Sequence, residues 1–469
     1  MQRRSAPHLL GSTFLVLGLA GLTATALVAC GDDANVDVDT ADTTDTTDTN
    51  DGSDTDTSDP GGVLPAAEPL VAKSPLGTHQ CQVSRAMTRI TDANYRIDAS
   101  VAAGTRAIVT RAQPNLEAAE IGADGVVGRT LVLDPSEYAA SQSRLVLDAA
   151  GTYVAAIWVH QDDFPSDGKL RFALFSASNL ASVVARELPF VAASNLTGPS
   201  LTAATPTDTS AAFAMVWVEH VAAGGYRLAF ARLATDGELV GEVVTLATTT
   251  QQIGLSPAIV ATADGYAVLW TDGTWDASEV FFARLSPTGT LRFDPVRISR
   301  PAADGFTAST GSQVGASLLD DGDRTFAVFQ ESHVEGDGFE QHRSTVVQLA
   351  VLDSEGRGTR TALRAHEVDK TTEYPSLFWV GDQLGLLASR GTIIYICGGC
   401  ITDYDAELLL IDPTALRLAA EPVRHVHQVN GMNQPRAVAL DDGILVTVSL
   451  DFHALSYPAT GAFTCTATP

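Results

Sequence analysis

The chain has 469 residues, 45% of them apolar and 18% charged, with 56 acidic against 29 basic residues and a formal net charge of −27. The apolar fraction is enough for a sizeable core. The deficit of Lys and Arg excludes a protein that grips nucleic acid through its phosphates.

Residues Met1 to Ala29 have the shape of a secretory signal, with Arg3 and Arg4 ahead of an apolar run from Leu9 and small residues before Cys30. The end of the run, Leu27-Val28-Ala29-Cys30, resembles the lipobox of bacterial lipoproteins. That resemblance implies cleavage before Cys30, a diacylglycerol thioether on its sulfur and an acylated amine, hence a lipid anchor in the cell envelope. An uncleaved transmembrane anchor is the alternative, because the apolar run is almost long enough to span a bilayer. Several acyl chains would hold firmly, at about 0.8 kcal/mol per buried methylene. Some bacteria retain such proteins at the inner membrane through an acid after the cysteine; here that residue is Gly31, which favours the outer membrane.

Asp32 to Gly62 carries eleven aspartates and no base. Such a segment builds no core and repels itself, so a disordered tether is expected, continuing as a Pro/Ala linker to residue 78. Alternating carboxylates in Asp48 to Asp54 are similar to a calcium loop, but EF-hand spacing and the closing glutamate are missing. Without signal and tether, the folded part still carries about −18.

From residue 79 to 469 the pattern is a repeat. Its clearest copy, Ser256 to Leu291, places β-branched and aromatic runs at Ala258–Val260, Tyr266–Thr271 and Val280–Leu285 between turns at Asp264-Gly265 and Pro287-Thr288-Gly289. Pro199, Pro257, Pro375 and Pro435 each open a strand-like run, at steps of 58, 118 and 60 residues. A large aromatic ending the second strand recurs at Trp158, Trp217, Trp270 and Phe329, at steps of 59, 53 and 59. Two markers with one period indicate a repeat array. Second strands are expected at 106–111, 153–159, 212–218, 266–271, 325–330, 384–389 and 444–450. Seven units of four antiparallel strands, closed radially, make an all-β β-propeller with protected edges. The recurring aromatics then pack between blades. The patterns Trp217-Val218-Glu219 and Trp270-Thr271-Asp272, each followed by Ala-Arg-Leu and a glycine turn, resemble secreted bacterial β-propellers with degenerate repeats. The likeness implies a fold and no reaction.

Of five cysteines, Cys30 is assigned to lipid, which leaves four for an oxidising compartment. Cys81 opens the domain and Cys465 lies in its last strand, so a closed ring brings them together in a disulfide worth about 4 kcal/mol or more in the chain-entropy model. Cys397 and Cys400, spaced Cys-x-x-Cys, are expected as a local disulfide, with half a metal site or a redox dithiol as alternatives.

Connections between second and third strands all leave on one side of a propeller, and here they are long, at 160–168, 219–225, 272–278, 331–344 and 391–405. This face is the expected binding surface, with His160, Asp162, Glu219, Asp272, Trp275, Glu331 and His333 as candidate residues. His160, Glu219, Asp272 and Glu331 share one repeat position. Such groups suit a divalent cation such as calcium, or a glycosidic oxygen, although a strand entering water also ends in something polar. No nucleophile motif, phosphate loop or HExxH is present, and no cofactor or catalytic residue is assigned. The reading is a monomeric, lipid-anchored module that binds or scaffolds an envelope protein or glycan. An exported polysaccharide hydrolase or lyase using the same carboxylates is the alternative.

Overall fold

The computed structural model describes residues 64–72 and 79–467, with short breaks at 91–95, 113–114, 137–142, 162–166, 194–197, 222–223, 251–256, 275–276, 311–317, 336–341, 368–369, 397–398, 426–431, 442 and 453–454. The signal, Cys30, the tether, Asp162, Trp275, Cys397 and the side chain of Cys400 lie outside the described residues.

Apart from two short 3-10 turns, the described elements are all strands, arranged as a β-propeller. Each expected second strand is present: Arg106–Ala112, Tyr153–His160, Phe213–His220, Gly265–Thr274, Thr325–Glu335, Gln383–Ile396 and Gly443–Phe452. Tyr153–His160 and Phe213–His220 are almost wholly buried, because they are covered on both faces by neighbouring blades. Outer strands such as Ser182–Ala192 alternate exposed and covered residues instead. Trp217 lies in one buried cluster with Phe172, Leu174 and Phe190 of the preceding blade, which places the recurring aromatics between blades.

Five discrete four-stranded blades form, where seven were expected. They are 96–134, 144–192, 200–249, 258–297, and a closing blade of His79–Arg89 with Met432–Leu440, Gly443–Phe452 and Leu455–Ala467. The other strands merge into one eleven-stranded sheet. Its two halves meet through a single parallel pair, Thr345 with Thr371. Innermost strands touch in turn, Arg96–Ala103, Arg144–Leu147, Ser200–Ala203, Ala258–Thr262, Leu318–Asp320, Lys370–Val380 and Met432–Leu440, and the last returns to the first.

The proline marker has a structural cause. Pro199 and Pro257 stand just ahead of inner strands, and Pro375 and Pro435 sit within bulges at Glu373/Ser376 and Asn433/Arg436. At both places the missing N–H costs no ladder bond. Glycine turns have a second duty. Gly237 and Gly289 hold φ of 79° and 92°, and a Cβ on them would stand 2.6 Å from Phe172 and 2.4 Å from Phe230 of the preceding blade.

The ring closes as the cysteines require. Cys81 pairs with Cys465 across the strands His79–Arg89 and Leu455–Ala467, and a disulfide joins them. The amino-terminal strand is thus the outer strand of the last blade.

The Pro/Ala segment departs from the expected linker. Ala66–Ala67 pairs in parallel with Gly358–Ala362, Val71 N–H donates to Leu363 O at 3.2 Å, and Leu64 and Leu70 are buried. Two leucines cover the edge of the eleven-stranded sheet, which protects it from further pairing. Residues 64–72 therefore belong to the propeller.

Candidate functional site

Most of the expected long loops are strands. Thr325–Glu335 with His342–Leu352 and Gln383–Ile396 with Gly399–Asp412 run on as antiparallel hairpins, and Gly443–Phe452 with Leu455–Ala467, where no long loop is expected, does the same. The 272–278 connection is likewise a hairpin, paired to Thr274–Ala277. Cross-strand pairing satisfies backbone groups that a loop would leave to water. This face therefore carries upright ribbons, while the opposite face carries mostly tight turns such as Ala234–Glu238 and Asp353–Arg357.

The residues at the shared repeat position stand at the rim of this face, held in polar hubs that mostly link neighbouring blades. Asp134, at the end of one blade, accepts from Trp158 Nε1 at 2.9 Å, lies 2.8 Å from His160 Nδ1, and accepts from Arg171 Nη1 at 3.2 Å. Burial alone would raise the Asp134 carboxyl, but hydrogen bonds from Trp158, the Ser136 N–H and His160 outweigh it and hold the group below its ordinary value. Glu219 accepts from Trp217 Nε1 at 3.3 Å and pairs with Arg227.

Glu331 is fully buried and saturated. It accepts from Arg300 N–H at 3.0 Å, Gln348 Nε2 at 2.9 Å and Arg360 Nη1 at 3.2 Å, with Arg300 Nε at 3.4 Å. A carboxylate so enclosed positions blades and cannot reach a ligand. Asp272 differs: it is half-buried, opposite Glu279 in register, and its carboxyl is pushed up by desolvation and by the Glu279 charge, against hydrogen bonds from Thr249 and Gly273.

His333 takes part in a stack. Phe306 pairs with it in register, the two rings are 4.6 Å apart, and the Arg300 guanidinium lies 4.1 Å from the centre of the Phe306 ring. His366 packs edge-on to Phe306 at 5.6 Å, and its Nδ1 is 2.9 Å from Ser344 Oγ. Burial, helped by Arg300 and His333, lowers its pKa from 6.5 to about 4. The unfolded chain binds this proton more tightly, so stability is full above about pH 6.5 and is lost as pH falls toward 4. Melting temperatures of the wild type and His366→Gln across that window should converge on acidification, the variant showing the flatter profile.

A second charged centre follows in the next half of the sheet. Fully buried Glu407 accepts from Arg364 Nη2 at 2.6 Å and Arg424 Nε at 3.3 Å, with Arg390 Nη1 at 3.5 Å. Sequence reasoning passed over these arginines. A signal was present: Arg390 stands 59 residues after Glu331, at the same repeat position, where the acidic series turns basic. Among the described residues, no group of three or more His, Cys, Asp or Glu is placed to hold a metal.

No protein-family model and no curated protein matches the sequence. Among solved structures, the chain is similar to a polysaccharide lyase, with TM-score 0.44 and 9% identity over 78% of this chain and 89% of the lyase. An α-L-arabinofuranosidase of Fusarium graminearum bound to arabinobiose gives TM-score 0.43 and 8% identity, over 68% and 92% of the two chains. The periplasmic gluconolactonase of Pseudomonas aeruginosa gives 0.39 and 16%, over 80% and 100%. Likeness at this level assigns no chemistry, and the fold rests on the strand topology itself.

Proposed function

We propose that the chain is a lipid-anchored cell-envelope β-propeller that binds or scaffolds a protein or glycan on its hairpin-bearing face. The observation that carries this reading is the contrast at the rim. His160, Glu219 and Glu331 are tied into polar hubs, whereas the ribbons beside them extend the surface. A hydrogen-bonded ribbon leaves less backbone to order on binding than an open loop would. In this reading Cys30 bears the lipid, the Asp-rich segment spaces a monomeric propeller from the outer membrane, and no catalytic group is needed.

Chemical crosslinking in intact cells tests the proposal, and the chain favours the experiment. Lys169 and Lys370, two of its three lysines, are exposed at strand ends on this face. One partner recurrently joined to both supports a protein-binding module. A folded, abundant chain that captures no protein through either lysine moves glycan ligands forward.

One observation favours the hydrolase or lyase as a second reading. The raised Asp272 carboxyl beside Glu279 is the kind of perturbed pair found at catalytic sites. Depolymerisation of envelope polysaccharide, lost in Asp272→Asn, would put that reading first.

A further inference from the structure

The Glu407 centre holds more cationic charge than it neutralises. Three guanidiniums, from Arg364 behind one half of the sheet, Arg390 on the second strand of the other half and Arg424 on its outer edge, converge on one carboxylate. Arg364 grips it with two nitrogens, Nη2 at 2.6 Å and Nε at 3.4 Å. Arg424 adds one bond through Nε and keeps a side chain 46% exposed. Arg390 Nη1 is buried 3.5 Å from Glu407 and makes no hydrogen bond. Asp405 is opposite Arg390 in the hairpin register and already engaged. Even with Asp405 counted, the centre is cationic within a strongly acidic domain.

The Glu331 carboxylate is filled differently. There Gln348 and a backbone N–H help fill the carboxylate, and two arginines share it. At Glu407 a third arginine replaces the neutral donors. Guanidinium forks match planar and tetrahedral oxyanions in pairs, and a buried donor without an acceptor is costly unless something fills its place.

We propose that Arg364, Arg390 and Arg424 form an oxyanion-binding site at the base of the Gln383–Ile396/Gly399–Asp412 hairpin, taking a carboxylate or phosphate group of an anionic ligand. Glu407 is a positioning residue that fans the three guanidiniums, Arg424 carries the contact, and Arg390 adds positive charge behind it. The inference deepens the binding reading by giving the ligand a charge. It also stands apart from it experimentally, since it is tested on the purified chain with defined anions.

Titration calorimetry of the purified chain with inorganic phosphate, a galacturonate trimer and the trimer's uncharged methyl ester makes the test. We expect binding of at least one anion, none of the ester, and at least tenfold weaker binding in Arg424→Gln and Arg390→Gln. Phosphate alone would assign a phosphorylated ligand and the trimer alone a carboxylated one. Arg424→Gln alters the most exposed of the three and should melt with the wild type, so its loss of binding would not reflect unfolding. Failure of both anions to bind the folded wild type, or unchanged binding in Arg424→Gln, overturns the site while leaving a protein partner found by crosslinking untouched.

Discussion

Replacing Glu331 with alanine should destabilise the propeller by about 3–5 kcal/mol, the loss expected when one partner of a buried ion pair is removed. Arg360 is the reason. It is 5% exposed, its guanidinium is already disfavoured by burial, and Glu331 is the charge that offsets this. Without Glu331, Arg360 stays charged in a dry site and the Gln348 amide loses its acceptor. The double variant Glu331→Met with Arg360→Met should lose much less, because removing both charges also removes their desolvation penalty. Denaturant midpoints of the two variants decide the matter. Equal losses would mean that the site is held by shape and not by charge.

The second large effect is expected at the ring closure. Cys81→Ser with Cys465→Ser removes a crosslink between residues 384 apart, and loss of a native disulfide typically costs about 2–5 kcal/mol. Serine variants confine the change to this one crosslink. Hydrogen exchange should localise the loss, with His79–Arg89 gaining exchange first while the 200–249 blade stays protected. A uniform loss of protection across blades would show instead that the ring opens as one unit.

Much of this architecture was legible because a repeat writes each feature several times. Second strands could be placed from Trp158, Trp217, Trp270 and Phe329, since in these four copies a large apolar residue is pressed between two blades. The Cys81–Cys465 pair followed from ring topology alone. What could not be read was whatever depends on contacts outside the period. Leu64 and Leu70 sit in a Pro/Ala stretch whose composition is that of a linker, and only the sheet edge they cover gives them a place. The hairpins read as loops in the sequence because their polar residues break the apolar alternation, although cross-strand hydrogen bonds need no apolar residue. Charged hubs were hidden for a related reason. Glu331 and Arg360 are 29 residues apart, and nothing local marks either as buried.

The docked amino-terminal segment also bears on how the protein is made. Ala66–Ala67 rests on Gly358–Ala362, and His79–Arg89 on Leu455–Ala467, so the first folded residues to emerge wait for partners almost 300 and almost 400 residues further on. Contacts so distant in sequence form slowly. Early blades must therefore wait with an open flank through most of synthesis or export, and a chain cut short of residue 455 would leave the amino-terminal strand without its place in the ring. Completion of the ring therefore waits on residues 455–467.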